Sequence, residues 1–436
     1  MKASACARLC MAVVALGSLT MGMADANAGI PIYHPPLWTS ISSGGSNHTC
    51  AVYNGISIGP FTGNVYCWGR NSHGQLGNPS VPTGYFTSSN VPVQVKGLPA
   101  AAVSVAVGGE TSCALLNNGL VYCWGDGSSG QLGNAAYLNS SASTSVPVQV
   151  QGLQAVEGVQ IAATSITVGT FTACATLADG LAYCWGRNGT GSAPALGNSS
   201  VPSGAISMPV PVDNLGNAFA VAAGYDTACA LSKMYLWGTS AYIQGPTCWG
   251  DNGAGESGQP QSTWNVFPTQ DYSVPWDITS ITQGDLYTCA ISKSKGVLCW
   301  GDDVYFANLG DNFICANTPD GSCYQPQQVI FAGGNVATPT AIAAGFKSTC
   351  ATFNDGRVWC WGDNAYGQRG IGNTISPIGI ATVVSNISTA TQVAVGEEHA
   401  CAIVNWGNSI ECWGTNNQGQ LGNGTSANSY LPTPIL

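Results

Sequence analysis

Residues 111–134 read TSCALLNNGLVYCWGDGSSGQLGN, and the chain says this again with small changes. Residues 48–78, HTCAVYNGISIGPFTGNVYCWGRNSHGQLGN, and 399–423, HACAIVNWGNSIECWGTNNQGQLGN, hold the same parts in the same order. Those parts are a Cys-Ala pair, a second cysteine followed by Trp-Gly, and a Gly-Gln-Leu-Gly tail. Aligning the chain on Gly-x-x-x-[Ala/Ser/Thr]-Cys-Ala yields seven copies, whose first glycines are Gly45, Gly108, Gly169, Gly224, Gly284, Gly345 and Gly396. Each is completed by Cys-Trp-Gly, with tryptophans at Trp68, Trp124, Trp185, Trp249, Trp300, Trp361 and Trp413. Successive leading cysteines lie 51–63 residues apart. A motif recurring at such a period is architecture rather than a set of separate sites.

One unit contains four strand-like runs. In the second repeat they are VPVQV (91–95), VSVAV (103–107), SCALL (112–116) and LVYCW (120–124), with turn residues between. A single four-stranded unit leaves its faces bare, whereas seven stacked around an axis cover them. The expected fold is therefore all-β, a seven-bladed β-propeller spanning residues 29–436. The tryptophan at a fixed place in each unit is expected to pack between blades. Pro31-Ile32 and residues 432–436 (PTPIL) each resemble the inter-repeat segment, which makes one more copy of that strand than of the others. A terminal strand pairing into the blade at the opposite end is expected to latch the ring and hide two sheet edges.

The cysteines follow the same period. Cys6 and Cys10 lie near the start of the chain. The other sixteen fall into local pairs: Cys50/Cys67, Cys113/Cys123, Cys174/Cys184, Cys229/Cys248, Cys289/Cys299, Cys315/Cys323, Cys350/Cys360 and Cys401/Cys412. In CALLNNGLVYC two short strands meet at Asn117-Asn118-Gly119, residues that tolerate the backbone of a tight hairpin. Cysteines opposed near its open end approach within disulfide reach. Zinc is the rival use of paired cysteines, but it favours Cys-x2–4-Cys spacing with histidine partners. No such spacing occurs, and the chain has only four histidines.

Charged residues make up 7% of the chain, against about 25% in ordinary soluble domains. Apolar residues stand at 45%, enough to form a core, so the low charge does not signal disorder. Lys2 and Arg8 precede a mostly apolar run over 9–23, and Ala26-Asn27-Ala28 offers small residues before Gly29. Residues 1–28 are expected to be a signal peptide, with a run too short to span a membrane. Export without an integral anchor follows, to the extracellular space, periplasm or cell surface. Beyond that segment the chain carries 9 basic and 20 acidic residues. With no Lys/Arg cluster to neutralise phosphates, neither nucleic acid nor an anionic membrane is an expected partner.

Gly-x-x-His-[Thr/Ala]-Cys-Ala at 45–51 and 396–402, with Trp-Gly-x-Asn-x-x-Gly-Gln-Leu-Gly at 68–77 and 413–422, resembles the regulator-of-chromosome-condensation repeat family. The resemblance covers nearly all of residues 30–436 and implies a seven-bladed propeller with four-stranded antiparallel blades. The family's archetype is a nuclear exchange factor for a small GTPase that also holds chromatin. This chain differs in its acidity, its many cysteines and its lack of a basic tail. A secreted bacterial member of the same architecture inhibits a β-lactamase, so the fold also serves as an extracellular binding platform.

Within a repeated frame the informative positions are those that vary. Four and three residues before the leading cysteine stand Ser46-Asn47, Gly109-Glu110, Thr170-Phe171, Tyr225-Asp226, Asp285-Leu286, Phe346-Lys347 and Glu397-Glu398. If every blade places them at one end, they form a mixed acidic and aromatic ring, and loops on a rigid frame commonly carry binding. Glu110, Phe171, Tyr225, Asp226, Asp285, Phe346, Lys347, Glu397 and Glu398 are the candidate partner-binding residues there. A second candidate is an aromatic patch of Trp264, Phe267, Tyr272, Tyr305 and Phe306 in the irregular fourth and fifth repeats, with packing inside longer loops as the alternative. His48 and His399 occupy one repeat position, which makes them frame residues rather than a catalytic pair. No nucleophile elbow, His-Glu-x-x-His or phosphate loop occurs. Asp302, Asp303 and Asp311 are acidic enough for calcium but match no standard loop spacing. The expectation is a non-enzymatic binding protein with no cofactor, engaging an extracellular protein or a glycan. A self-associating surface component, such as an adhesin or a filament subunit, is the alternative.

Overall fold

The computed structural model describes residues 37–55, 62–138, 142–153, 161–189, 194–235, 242–260, 265–270, 273–303, 307–312, 322–334, 337–376 and 378–436. These build seven sheets of four antiparallel strands, each sheet ordered in space as in the chain. The blades cover 38–94, 102–149, 163–211, 218–270, 278–328, 339–383 and 392–434. In blade 2 the strands are Ala102–Gly108, Thr111–Leu116, Val121–Asp126 and Ser143–Gln149. The fourth-repeat insertion at 233–247 lengthens the central hairpin of blade 4 to Thr227–Tyr235 and Tyr242–Asp251.

The proline-led run closes a blade rather than opening one, which corrects the phase read from the sequence. The loop carrying Gly-Gln-Leu-Gly turns the chain back on itself. The run VPVQV therefore pairs with the Cys-Trp-Gly strand before it, Cys67 opposite Val93, and not with the strand that follows. The same correction removes the latch at the C-terminal end. Ser429–Pro434 pairs with Ser409–Gly414 of its own blade, while Pro31-Ile32 lies outside the described residues. Among the described residues no strand is exchanged between blades.

The ring closes through inner strands and side chains instead. The first strand of blade 7, Gln392–Val395, packs beside that of blade 1, Trp38–Gly44, and Gln392 Nε2 donates to Thr39 O at 2.9 Å. Every fixed tryptophan is fully buried. Each donates its indole N–H to a backbone carbonyl in the tail of the preceding blade, at 2.8–3.2 Å. Trp124 reaches Gln75 O, and Trp68 of blade 1 reaches Gln420 O of blade 7 across 352 residues. Here the tail explains itself. Its glutamine or equivalent supplies the carbonyl, its leucine is buried, and its last glycine leaves room for the ring. A Cβ on Gly422 would stand 2.9 Å from Trp68 Cδ1.

Cores accordingly form between blades. One apolar cluster joins Leu115, Val121 and Val150 of blade 2 to Ala175, Leu177 and Trp185 of blade 3. Cysteine pairs stand directly opposite on the second and third strands, with Cα atoms 4.0–4.1 Å apart, and form Cys50–Cys67, Cys113–Cys123, Cys174–Cys184, Cys229–Cys248, Cys289–Cys299, Cys350–Cys360 and Cys401–Cys412. Cys323 is also disulfide-bonded, and Cys315 lies outside the described residues. Each blade's outer strand breaks register beside its tryptophan. In blade 1 that bulge holds Pro92, and Ser89 Oγ donates to Val91 O at 2.7 Å. Bulge and proline together blunt an edge that would otherwise pair with another chain.

Candidate functional site

The seven first strands line an axial channel of about 280 Å³. At one mouth the turns leading to the second strands converge, and Gly45, Gly109, Thr170, Gly224, Asp285 and Phe346 wall the opening with Val395 of blade 7. Glycine at this place lets neighbouring turns crowd the axis: a Cβ on Gly224 would come within 2.7 Å of Gly284 O. The variable pairs ride on these turns. The structure thus brings Glu110, Phe171, Tyr225, Asp226, Asp285, Phe346, Lys347, Glu397 and Glu398 to one rim.

Below the rim lie the frame residues. His48 Nε2 meets Ser112 Oγ of blade 2 at 2.9 Å, and His399 Nε2 meets Thr49 Oγ1 of blade 1 at 2.8 Å. Tyr287 plays the same part in blade 5, reaching Thr349 Oγ1 at 2.9 Å. Burial drives both imidazoles down to about 3, aided at His48 by His399 and Arg70. They are neutral bridges between blades.

The rim is more organised than a solvated surface. Arg187 grips Asp226 through two contacts, Nη2 to Oδ2 at 2.7 Å and Nε to Oδ1 at 3.2 Å. Its guanidinium lies 3.7 Å from the Phe171 ring centre and 5.1 Å from that of Tyr225, and the two rings meet edge to face. Arg70 and His73 both pair with Glu110, the former at 3.3 Å. Lys347 Nζ lies 5.2 Å from the Phe346 ring centre. Burial raises the Asp285 carboxyl to about 6, with Lys347 opposing and Asp302 and Asp226 adding to the rise. Glu397 and Glu398 are also raised, chiefly by burial, and Glu398 adds to the shift of Glu397. Asp226 is raised by burial despite Arg187.

Sequence reasoning overlooked the residue that follows Trp-Gly. Arg70, Asp126, Arg187, Asp251, Asp302, Asp363 and Thr415 hold that position at the upper end of the third strands and flank the rim. The signal was available, since this is a varying charge after an invariant dipeptide. Of the candidate aromatic patch, one residue is among those described. Phe267 lies on the outer strand of blade 4 with 53% exposure, and Trp264, Tyr272, Tyr305 and Phe306 lie outside the described residues. Asp303 is buried and its Oδ1 accepts Leu309 N–H at 3.0 Å. Among the described residues no group of three or more metal-ligating side chains is gathered.

A closed wheel of seven Trp-locked, disulfide-stapled blades, with a charged rim on one face, defines the class: a repeat-built β-propeller. Models of the regulator of chromosome condensation (RCC1) repeat match residues 62–115, 118–174 and 355–403, and a second model of that repeat matches 102–131 and 340–368. Over these residues the chain carries repeats similar to those of the RCC1 family. It is 26% identical to the ultraviolet-B receptor UVR8 of Arabidopsis thaliana over 427 residues, covering 95% of this chain and 85% of the relative. It is 28% identical to the human E3 ubiquitin-protein ligase HERC2 over 319 residues, 72% of this chain but 6% of that protein. Among solved structures, Prp20p of Saccharomyces cerevisiae superposes with a TM-score of 0.70 at 20% identity, covering 85% of each chain. Human WBSCR16 superposes with 0.69 at 18% identity, covering 86% and 94%. These two likenesses concern the fold alone.

Proposed function

We propose that the protein is an exported, non-enzymatic binding protein whose channel-mouth face engages a protein partner, with a glycan as the other ligand class. The observation that carries this is the contrast between an invariant frame and a varied rim. Six of the seven turns deliver charged or aromatic side chains to one opening, and Arg187, Phe171, Tyr225 and Asp226 are held rigid there before any partner arrives. Rigid aromatic and arginine groups are what interface centres favour. Prp20p, which shares the fold, binds Gsp1p and histones, in keeping with a propeller used as a docking platform. Local disulfides in every blade fit an oxidising compartment, and residues 1–28 are proposed to be removed on export.

A filament or adhesin built through strand edges is less favoured. Every described outer strand is interrupted by a bulge, and such edges resist continuous pairing. The test is capture from the surrounding secreted milieu with the purified chain as bait. A variant carrying D285N, E397Q and E398Q is expected to lose at least about tenfold of the captured protein, as losses at interface centres do. A variant of the opposite end, W406S with K293A and K295A, is expected to keep it. The reverse pattern would move the site to the other face, and ordered polymers of the bait in negative-stain images would favour the structural role.

A further inference from the structure

Two positions of the repeat motif that bear amides in other blades bear acids in the adjoining blades 4 and 5. In the Gly-Gln-Leu-Gly tail, the glutamine Oε1 accepts the backbone N–H two residues earlier. His73 donates to Gln75 at 2.8 Å, Ser129 to Gln131 at 2.8 Å, Tyr366 to Gln368 at 2.9 Å and Gln418 to Gln420 at 2.9 Å. The glutamine Nε2 then donates at the base of its loop. In blades 2 and 6 the acceptor is Asp126 Oδ2 at 2.9 Å or Asp363 Oδ2 at 3.2 Å. Blade 4 reads Gly255-Glu256-Ser257-Gly258 instead. Glu256 Oε2 accepts Ala254 N–H at 2.8 Å, so the side chain occupies the glutamine's place. Its Oε1 falls where the amide nitrogen donates elsewhere, buried and without a hydrogen-bond partner among the described residues. Asp251 holds the position of Asp126 and Asp363.

The second case is the Asn of Trp-Gly-x-Asn. Its Oδ1 accepts the N–H of the tail residue five further on, at 3.0–3.1 Å from Asn71, Asn188 only through its longer loop, Asn252, Asn364 and Asn416. Its Nδ2 donates to carbonyls of the outer loop, such as Pro82 O at 2.8 Å or Pro202 O at 3.0 Å. Blade 5 has Asp303 here. Oδ1 accepts Leu309 N–H at 3.0 Å in the usual way, and Oδ2, in the place of the donor, is again buried and unpartnered among the described residues.

We propose that Glu256 and Asp303 are proton-binding sites, whose protonated O–H groups stand in for the missing amide N–H donors and hold this sector of the mouth face together. Glu256 then donates toward Asp251, and Asp303 toward Asp311. Burial, with Asp251 and Asp302 facing Glu256 and with Asp311 and Asp302 facing Asp303, raises both carboxyls to about 7. Free carboxyls ionise near 4, so between about 4 and 7 the folded chain holds protons that the unfolded chain lacks. The resulting stability is complete below the unfolded value and is lost as pH rises through 7. A sector that loosens near neutrality is a pH-responsive part of the face, whether or not a partner binds there.

The conservative variants are those that the other blades already carry, E256Q and D303N. Thermal unfolding of the full chain at a fixed scan rate, near pH 5.5 and near pH 8.5, compares the wild type with each variant and with the double variant. The wild-type midpoint is expected to fall more on raising the pH than that of the double variant, by about 2–4 °C for each site. At the higher pH the double variant is expected to melt above the wild type. Hydrogen exchange of the amides over 252–258, corrected for intrinsic rates, is expected to be faster in the wild type than in E256Q at the higher pH only. Identical pH dependence in the wild type and the double variant, or a double variant that melts lower at the higher pH, overturns the proposal. Should D303N fail to fold, E256Q alone decides the matter for blade 4 by the same comparison.

Discussion

At the scale of single residues, the molecule depends on groups that bridge blades. Trp185 is buried and donates to Gln131 O at 2.9 Å. Trp185→Phe removes that donor and part of the buried ring, and is expected to cost about 2–4 kcal/mol in chemical denaturation. Gly133 sits at φ +65°, where a Cβ would stand 2.9 Å from Trp185 Nε1. Gly133→Ala is expected to destabilise by about 1–3 kcal/mol through backbone strain and overpacking. The buried histidines give a signed pH effect. Folded, both sit near 3, whereas unfolded they titrate near 6.5. Their neutral bridges are therefore at full strength above about 6.5 and are lost as pH falls toward 3. A double variant, H48T with H399T, carries the threonine that blades 2, 3 and 4 have at Thr111, Thr172 and Thr227. Its midpoint is expected to fall less between pH 7 and pH 4 than that of the wild type.

At the scale of strands and turns, much was legible because repetition did the work of an alignment. Cysteines, tryptophans and glycines at constant offsets identified the hairpins, their pairing and the turn that forms the mouth. What was misread was phase, since a periodic text does not say where its unit begins. VPVQV lies between two Cys-bearing hairpins, and only the reversal of the chain through the Gly-Gln-Leu-Gly loop assigns it to the earlier one. The outer charges after Trp-Gly were missed because they are remote in sequence from the turns they flank in space. Glu256 and Asp303 escaped notice for a different reason: an acid in place of an amide looks conservative until the partner of its second oxygen is known. At this scale the disulfides set a further expectation. C113A with C123A is expected to cost about 2–3 kcal/mol, as short loops do, with the blade retained in circular dichroism because its ladders and inter-blade core remain.

At the scale of the whole molecule, the question is whether the ring is shut as firmly at its seam as elsewhere. Trp68 meets Gln420 O at 2.9 Å, the same distance as Trp185 to Gln131 O. Trp68→Phe is accordingly expected to destabilise as much as Trp185→Phe, within about 0.5 kcal/mol. A clearly smaller loss at Trp68 would mean that blades 7 and 1 separate easily, and the face drawn around the channel would be incomplete there. Since each described blade is one uninterrupted stretch of chain, the wheel has no structurally privileged starting point. Trp38 and Ile435 rest on a common apolar cluster, so a short tether between these ends, with a new opening cut at the blade 2 to blade 3 linker, is expected to give a circular permutant with the same melting profile. The order in which ribosomes deliver the petals is then a matter of genetic accident, and the gene is free to begin its sentence at any of seven words.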